Sequence, residues 1–203
     1  MSYDSGKYQI YVPMDWRGPT GQVDTWFVWP AEMAPMPSQM QPLPECYSVE
    51  TRARFNVDSD YNPWWAHWGL VFGANDTLSE LYTFQVNANH HLAMLRYENY
   101  TYPGNKSDDG LNVESPIYRW PGNNEDEFWS EDGYGSPSYE YSTLKVTVNG
   151  DTAVFYYNGA RVVSADITDM PRDRVGLIGG SWEVTPVEVE FDYFHYDATC
   201  SAP

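Results

Sequence analysis

The last third of the chain, Ser142 to Tyr196, constrains the fold more than any other stretch. Apolar residues alternate there with polar ones, over Leu144 to Val148 and again over Val187 to Tyr193. Asn149-Gly150 and Asn158-Gly159 follow two of the strand-like runs. A two-residue period is typical of a strand with one buried face, and Asn-Gly between such runs is a strong signal for a β-hairpin. This stretch therefore predicts a ladder of antiparallel strands.

Upstream of this ladder, the same patterning predicts further strands at residues 7–12, 23–29, 47–57, 64–72, 81–86 and 91–97. Two stretches read as long loops: residues 30–44, dense in proline and methionine, and residues 99–141, rich in glycine, asparagine and acids. No window has a sustained 3.6-residue apolar period, so we expect almost no helix. Roughly eleven short strands without helices predict one antiparallel β-sandwich domain over residues 1–203, of the jelly-roll type.

The charge balance narrows the choice of partners. The chain has 11 Lys and Arg residues against 29 Asp and Glu residues, a net charge of -18. Nucleic acid and anionic membrane surfaces are therefore unsuitable partners. No apolar run is long enough to insert into a membrane. We expect an acidic protein kept soluble in an extracellular or cell-surface setting, with cation binding as the alternative explanation of the acidity.

The two cysteines suggest a disulfide. Cys46 precedes a strong strand and Cys200 follows the final one, which suits a bridge that ties the C-terminal end to a sheet. Closing so long a loop stabilises by as much as ~5 kcal/mol in the chain-entropy model. A disulfide implies an oxidising, extracellular compartment. Two unrelated buried thiols are the alternative.

Several stretches together resemble the concanavalin A-like lectin/glucanase superfamily. They are WGLVFGAND, LYTFQVNANHHLAMLRYE and the ending VGLIGG with VEVEFDYF. Closest in pattern are bacterial extracellular domains related to laminarinase-type enzymes and to the 3-keto-disaccharide hydrolase-like domain. The resemblance covers about Lys7 to Tyr196 apart from the two loops. It implies a concanavalin A-like sandwich, a fold that hosts many functions.

Two departures from the superfamily pattern bear on function. The first strand of such domains is expected to be absent or very short here, which would leave a sheet edge open for self-assembly. The Glu-x-Asp-x-x-Glu signature of laminarinase-type enzymes is also missing. Glu188 and Glu190 alternate along the last strand, where a solvated face explains them better than a glycosidase pair. We therefore lean towards a protein without catalytic activity.

Aromatic, amide and arginine side chains are the best functional lead. Sugars stack their C–H faces on aromatic rings and offer hydroxyls to planar polar groups, and Arg can bond hydroxyls or carboxylates bidentately. The candidate ligand-binding residues are Trp64, Trp65, His67, Gln85, Arg52, Arg54, Trp120 and Trp129. The tryptophans could instead anchor the core or loops, and the arginines could belong to a cross-strand salt ladder.

The resemblance also implies a metal. In laminarinase-type relatives an Asp of the last strand binds a structural calcium ion, and the matching residue is Asp192. The leading hypothesis is thus a non-catalytic extracellular or cell-surface module that binds a glycan or polysaccharide. The alternative is a structural, assembly or adhesion subunit of a surface layer or fibre. A glycoside-processing enzyme with an unfamiliar site is the third hypothesis.

Overall fold

The computed structural model describes residues 2–4, 7–12, 26–28, 42–56, 66–98, 113–121, 130, 140–181 and 187–199. These residues form thirteen strands and no helix. All strand pairs are antiparallel and belong to two sheets. The predicted all-β, antiparallel sandwich is therefore confirmed. Within the same ranges, no helix has the length and apolar character to span a membrane.

Sheet A has seven strands. They are β1 Ser2–Asp4, β2 Lys7–Val12, β4 Cys46–Phe55, β9 Ser142–Asn149, β10 Thr152–Tyr157, β11 Ala160–Asp166 and β13 Val187–Asp197. Their order across the sheet is β1-β2-β13-β4-β9-β10-β11. The last strand, β13, thus lies between β2 and β4.

Sheet B has six strands. They are β3 Trp26–Val28, β5 Ala66–Ala74, β6 Glu80–Asn87, β7 Leu92–Glu98, β8 Val113–Pro116 and β12 Arg174–Ser181. Their order is β3-β12-β5-β6-β7-β8. The prediction of a featureless loop over 99–141 was wrong at β8, which extends the sheet beyond β7.

The ladder predicted from the last third of the chain is present. β9, β10 and β11 are consecutive hairpin strands, with Asn149 paired to Thr152 and Tyr157 paired to Ala160. Between the second pair, Asn158 and Gly159 have φ values of 49° and 80°. Positive φ at both turn residues is what a two-residue type I′ hairpin requires, which explains the Asn-Gly sequence.

The inner faces of the two sheets enclose the main core. Phe155 of β10 lies edge-on to Phe72 and Phe84 of sheet B, with ring centroids 5.4 and 5.2 Å apart. Trp68 meets Phe191 of β13 in the same way at 5.9 Å. Burying each such ring contributes roughly 1.5–3 kcal/mol relative to exposure. The alternating residues of β4, β9 and β10 supply sheet A's half of this core.

The outer face of sheet B is buried as well. Val71, Leu95 and Ile178 lie on it and have no exposed surface, and every residue of β5 is buried. A Cβ added to Gly69 would lie 2.2 Å from the backbone oxygen of Phe84, so the backbones of β5 and β6 approach too closely for any side chain there. Among the described residues, the outer face of sheet A retains the polar, solvated alternation that a two-layer sandwich predicts.

A β-bulge in β13 changes the predicted alternation. The register with β4 shifts between Phe191 and Tyr193, with Phe191 opposite Ala53 and Tyr193 opposite Arg52. Phe191 is buried in the core, whereas the Tyr193 side chain reaches Glu50 on the outer face. The expectation that Tyr193 shares the inward face with Phe191 was therefore wrong, because a bulge inserts one residue and reverses the side-chain parity beyond it.

At the N-terminal edge of sheet A, the expectation of a very short first strand is met. β1 has three residues and pairs with β2. No contact among the described residues supports self-assembly through this edge, and that partner stays a prediction.

Candidate functional site

The structure divides the predicted ligand-binding residues between two sheet faces. His67 and Gln85 lie in sheet B, on the outer face, whereas Arg52 and Arg54 lie on the outer face of sheet A. Trp64, Trp65 and Trp129 lie outside the described residues. The structure therefore does not bring the predicted set together as one site.

The sheet B group is closed to solvent. His67 and Gln85 have no exposed surface. The Gln85 amide nitrogen donates to the hydroxyl oxygens of Thr83 at 2.9 Å and Tyr97 at 2.8 Å. Its amide oxygen has no hydrogen-bond partner in the part of the chain that the structure describes. A polymeric ligand would need this face to open before it could contact these groups, and ligand contact by His67 and Gln85 stays a prediction.

Trp120 lies in the segment that follows β8 of sheet B. Its indole nitrogen donates to the backbone oxygen of Leu92 at 3.1 Å, and its ring packs edge-on against Tyr118 with centroids 5.3 Å apart. The ring is partly buried against the core. These contacts favour the loop-anchor alternative for Trp120, and its contact with a glycan stays a prediction.

The outer face of sheet A carries a group of polar side chains, of which two arginines and an aspartate are partly open to solvent. Arg52 and Arg54 alternate on β4 with the buried Thr51, Ala53 and Phe55, which turns both guanidinium groups outward. We call the group formed by Arg52, Arg54, Tyr141, Glu190 and Asp192 the Arg–Tyr face.

Both guanidinium groups of the Arg–Tyr face lie over one aromatic ring. The Cζ atoms of Arg52 and Arg54 are 4.8 and 4.7 Å from the centroid of the Tyr141 ring. The ring quadrupole attracts cations at this distance, by about 0.5–1 kcal/mol at exposed sites. Tyr141 thus holds two arginine side chains in place on a strand surface.

Each guanidinium group also has a carboxylate partner on β13. Arg52 Nη1 is 3.2 Å from Asp192 Oδ2, and Arg54 Nη2 is 3.1 Å from Glu190 Oε1. The Tyr141 hydroxyl donates to the same Glu190 oxygen. The β13 bulge at Phe191/Tyr193 gives Asp192 its place beside Arg52. The cross-strand salt ladder that the sequence allowed is therefore present.

The ladder continues one row further along the same strands. Glu50 accepts a hydrogen bond from the Tyr193 hydroxyl at 2.6 Å and forms an ion pair with the Lys145 ammonium group at 3.6 Å. Burial raises the pKa of Tyr193 to about 12, and the hydrogen bond to the Glu50 carboxylate adds to this rise. Tyr193 therefore stays a neutral hydrogen-bond donor at physiological pH.

Sequence reasoning missed Tyr141 and the pairing of Glu190. Tyr141 comes one residue before β9, at the end of a stretch read as loop, although its odd position matches the outward residues Thr143 and Lys145. Extending the β9 alternation backwards by one step would have found it. Glu190 was assigned to a solvated face, yet it is only 7% exposed because Arg54 and Tyr141 cover it.

Asp192, the candidate calcium ligand, lies beside an arginine. Its carboxylate pairs with Arg52, and no three His, Cys, Asp or Glu side chains cluster anywhere in the described ranges. Calcium prefers six to eight oxygen ligands. The relatives' calcium ion is also held by backbone oxygens, so calcium binding at Asp192 stays a prediction.

Only one cysteine of the predicted disulfide lies within the described residues. Cys46 begins β4, and no free cysteine occurs among the residues that the structure describes. Cys200 lies outside them, so the bridge between the two stays a prediction.

Comparison with known proteins identifies no family for this chain. A scan of protein-family models gives no match, and a search of curated proteins gives none either. Similar solved structures include the carbohydrate-binding module CBM66 from Bacillus subtilis, at 16% identity and a TM-score of 0.49 over 76% of each chain. Sheep galectin-11, in complex with glycerol, has 12% identity and a TM-score of 0.45 over 78% of this chain and 94% of its own.

A functionally unknown protein from Saccharomyces cerevisiae is also similar. It has 11% identity and a TM-score of 0.47 over 98% of this chain and 92% of its own. At such identities and TM-scores, the fold class rests on the two antiparallel sheets themselves. Membership of the concanavalin A-like superfamily stays a prediction.

Proposed function

We propose that this protein is a non-catalytic, lectin-like module that binds a glycan on its Arg–Tyr face. The observation that carries the proposal is a single tyrosine ring with two guanidinium groups over it and two carboxylates beside it, on an open sheet surface. Glycan-binding sites need such a combination of an aromatic surface with fixed, planar hydrogen-bonding groups.

The chemistry of the Arg–Tyr face suits a sugar ring. Arginine offers five N–H donors in a planar fork, and an ionised carboxylate accepts hydrogen bonds through about four lone-pair sites. One ion pair uses only some of these donors and acceptors. The others remain for the hydroxyls of a sugar ring, which both donate and accept hydrogen bonds. Because the pairs hold Arg52 and Arg54 in place before a ligand arrives, less side-chain entropy is lost on binding.

Accessibility favours this face over the outer face of sheet B. The Arg52, Arg54 and Asp192 side chains are 46%, 36% and 33% exposed, whereas His67 and Gln85 have no exposed surface. A glycan chain can reach the first group without any rearrangement of the described residues.

The proposed location is extracellular or at the cell surface. The net charge of -18 and the predicted Cys46–Cys200 bridge support it. A thiol assay on unfolded, unreduced protein tests the bridge: we expect no free thiol, and two free thiols would rule the bridge out.

A glycan array followed by calorimetric titration of the best ligand tests the function. We expect Tyr141→Ala to weaken binding by about tenfold, since loss of one aromatic contact costs roughly 0.5–1.5 kcal/mol and 1.4 kcal/mol is a factor of ten. We expect Arg54→Ala to weaken it as well.

Arg96→Ala is the matched control. Arg96 also lies over a tyrosine ring, at 5.6 Å from the Tyr82 centroid, and pairs with Glu80 at 2.6 Å, but it belongs to sheet B. Its loss should leave glycan affinity unchanged. Absence of binding across a broad array, or equal losses in all three variants, would contradict the proposal.

A further inference from the structure

We infer that the Arg–Tyr face selects uncharged glycans and rejects glycans that carry carboxylates. This inference rests on the proposed function and names the chemical class of its ligand. Two neighbouring arginines would ordinarily be expected to bind a ligand carboxylate, because exposed arginines commonly bind carboxylates in bidentate fashion.

Each arginine of the Arg–Tyr face has a carboxylate partner, and so does Lys145 in the next row along the same strands. Arg52 is paired with Asp192 at 3.2 Å, Arg54 with Glu190 at 3.1 Å, and Lys145 with Glu50 at 3.6 Å. The three cations thus each have a carboxylate partner on the same surface. A ligand carboxylate would find no unmatched positive charge among these side chains.

Displacing Glu190 from Arg54 would cost free energy, because this ion pair is the most buried of the three. Glu190 as a whole residue is only 7% exposed, and its carboxylate forms an ion pair with Arg54 and accepts a hydrogen bond from Tyr141. If a ligand carboxylate captured Arg54, Glu190 would keep its charge in a poorly solvated place without its cation. An uncompensated charge in such a place is strongly unfavourable.

Hydroxyl groups avoid this competition. A sugar hydroxyl can accept from a remaining guanidinium N–H and donate to a remaining carboxylate lone pair without breaking either ion pair. The C–H face of the sugar can then lie against apolar ring surface. The ion pairs thereby become part of the binding surface rather than an obstacle to it.

The field of the whole protein acts in the same direction. With a net charge of -18, the chain repels a polyanion at long range, and the repulsion weakens as salt rises. An uncharged glycan experiences neither effect, so its affinity should depend little on ionic strength.

The test compares length-matched oligomers of an uncharged glucan, an uncharged galactan and a polygalacturonate, titrated at low and at physiological salt. We expect the binding affinity for an uncharged oligomer to change less than about twofold between the two salts. We expect the uronate to bind at least about tenfold more weakly than the best uncharged oligomer at low salt.

Asp192→Asn supplies a gain-of-function test. It removes the partner of Arg52 from an exposed position, so we expect uronate affinity at low salt to rise by about threefold or more. Asp76→Asn is the matched control, because Asp76 pairs with Arg174 at the same 3.2 Å distance and lies in the loop between β5 and β6. It changes the net charge equally and should leave uronate affinity unchanged.

The outcomes separate the two proposals. Uronate binding by the wild type that is tighter than uncharged binding and weakens with salt would overturn the charge inference while glycan binding stands. Equal gains in Asp192→Asn and Asp76→Asn would overturn the role of the Arg52 pair. No binding to any oligomer, together with an empty glycan array, would overturn the proposed function and this inference with it.

Discussion

Arg54 and Glu190 form an ion pair between β4 and β13 in which the two partners differ in exposure: the arginine side chain is 36% exposed and the glutamate side chain 10%. The pair is therefore asymmetric. Removing the arginine leaves a carboxylate with little access to water, whereas its neighbour Arg52 pairs with a more exposed Asp192.

We predict that Arg54→Ala lowers the free energy of unfolding more than Arg52→Ala does. Loss of a charged partner from a poorly solvated carboxylate costs about 1–3 kcal/mol, whereas exposed pairs contribute about 0–1 kcal/mol. Urea unfolding of both variants measures the difference. Equal destabilisation by the two substitutions would show that Glu190 is better solvated than its exposure indicates.

The close approach of β5 and β6 gives a second prediction. Gly69→Ala should destabilise by about 3 kcal/mol, since the new Cβ would meet backbone atoms, including the Phe84 oxygen at 2.2 Å, that have no room to move. Gly179→Ala in β12 is the control: its Cβ would have its nearest contact with Ile10 at 3.5 Å, an ordinary distance. Thermal melts of the two variants should differ by several degrees, and similar melting temperatures would refute the close approach.

The pH dependence of stability should contain a contribution from His90. This residue lies between β6 and β7 at a φ of 63°, and its Nδ1 atom is hydrogen-bonded to the Tyr157 hydroxyl. Burial lowers the pKa of His90 below its usual value near 6.5, and neighbouring His91 lowers it further. The folded state therefore binds fewer protons than the unfolded state as pH falls through that range.

Stability should consequently decrease as pH falls from about 6.5 towards the lowered pKa of His90. His90→Asn is the test variant, because asparagine tolerates positive φ and carries no titrating group. Urea midpoints of wild type and variant between neutral and mildly acidic pH should converge on the acidic side. Parallel curves would mean that His90 is protonated equally readily in both states.

Calcium gives a fourth prediction. The Asp192 carboxylate is already paired with Arg52. We therefore expect that replacing EDTA with millimolar calcium changes the melting temperature of the wild type and of Asp192→Asn by the same amount. A calcium-dependent rise that occurs only in the wild type would instead show that Asp192 holds the metal, as the superfamily resemblance implies.

Much of the fold could be predicted because local patterns determine it. Alternation on β4 and β9 predicted strands with one buried face, and the Asn-Gly turns predicted hairpins; both features are present. β8 was not predicted, because only four residues of a long polar stretch pair with β7, and the pairing is a tertiary contact without a local signature.

The candidate site could be predicted only in part. Arg52 and Arg54 were found because they point outward from a strongly alternating strand. The sequence did not link Tyr141 and Glu190 to these arginines. The two residues lie 87 and 136 positions after Arg54 (141 − 54 and 190 − 54). They contact Arg54 because the sheet places β4 between β13 and β9. His67 and Gln85 were predicted as ligand-binding groups, but β5 and the adjoining residues of β6 are buried on both faces, which a polar residue on a strand does not reveal.

The most direct test of the central claim is amide chemical-shift mapping by NMR during titration with the glycan identified on the array. Binding at the Arg–Tyr face predicts that the largest shifts cluster at residues 50–54, 141–145 and 190–193, in three neighbouring strands of sheet A. Tyr141→Ala should require about tenfold more glycan to produce this cluster of shifts, and Arg96→Ala should leave the titration unchanged. Shifts centred on β5, β6 and β7 instead, around His67 and Gln85, would contradict the account and place the binding surface on sheet B.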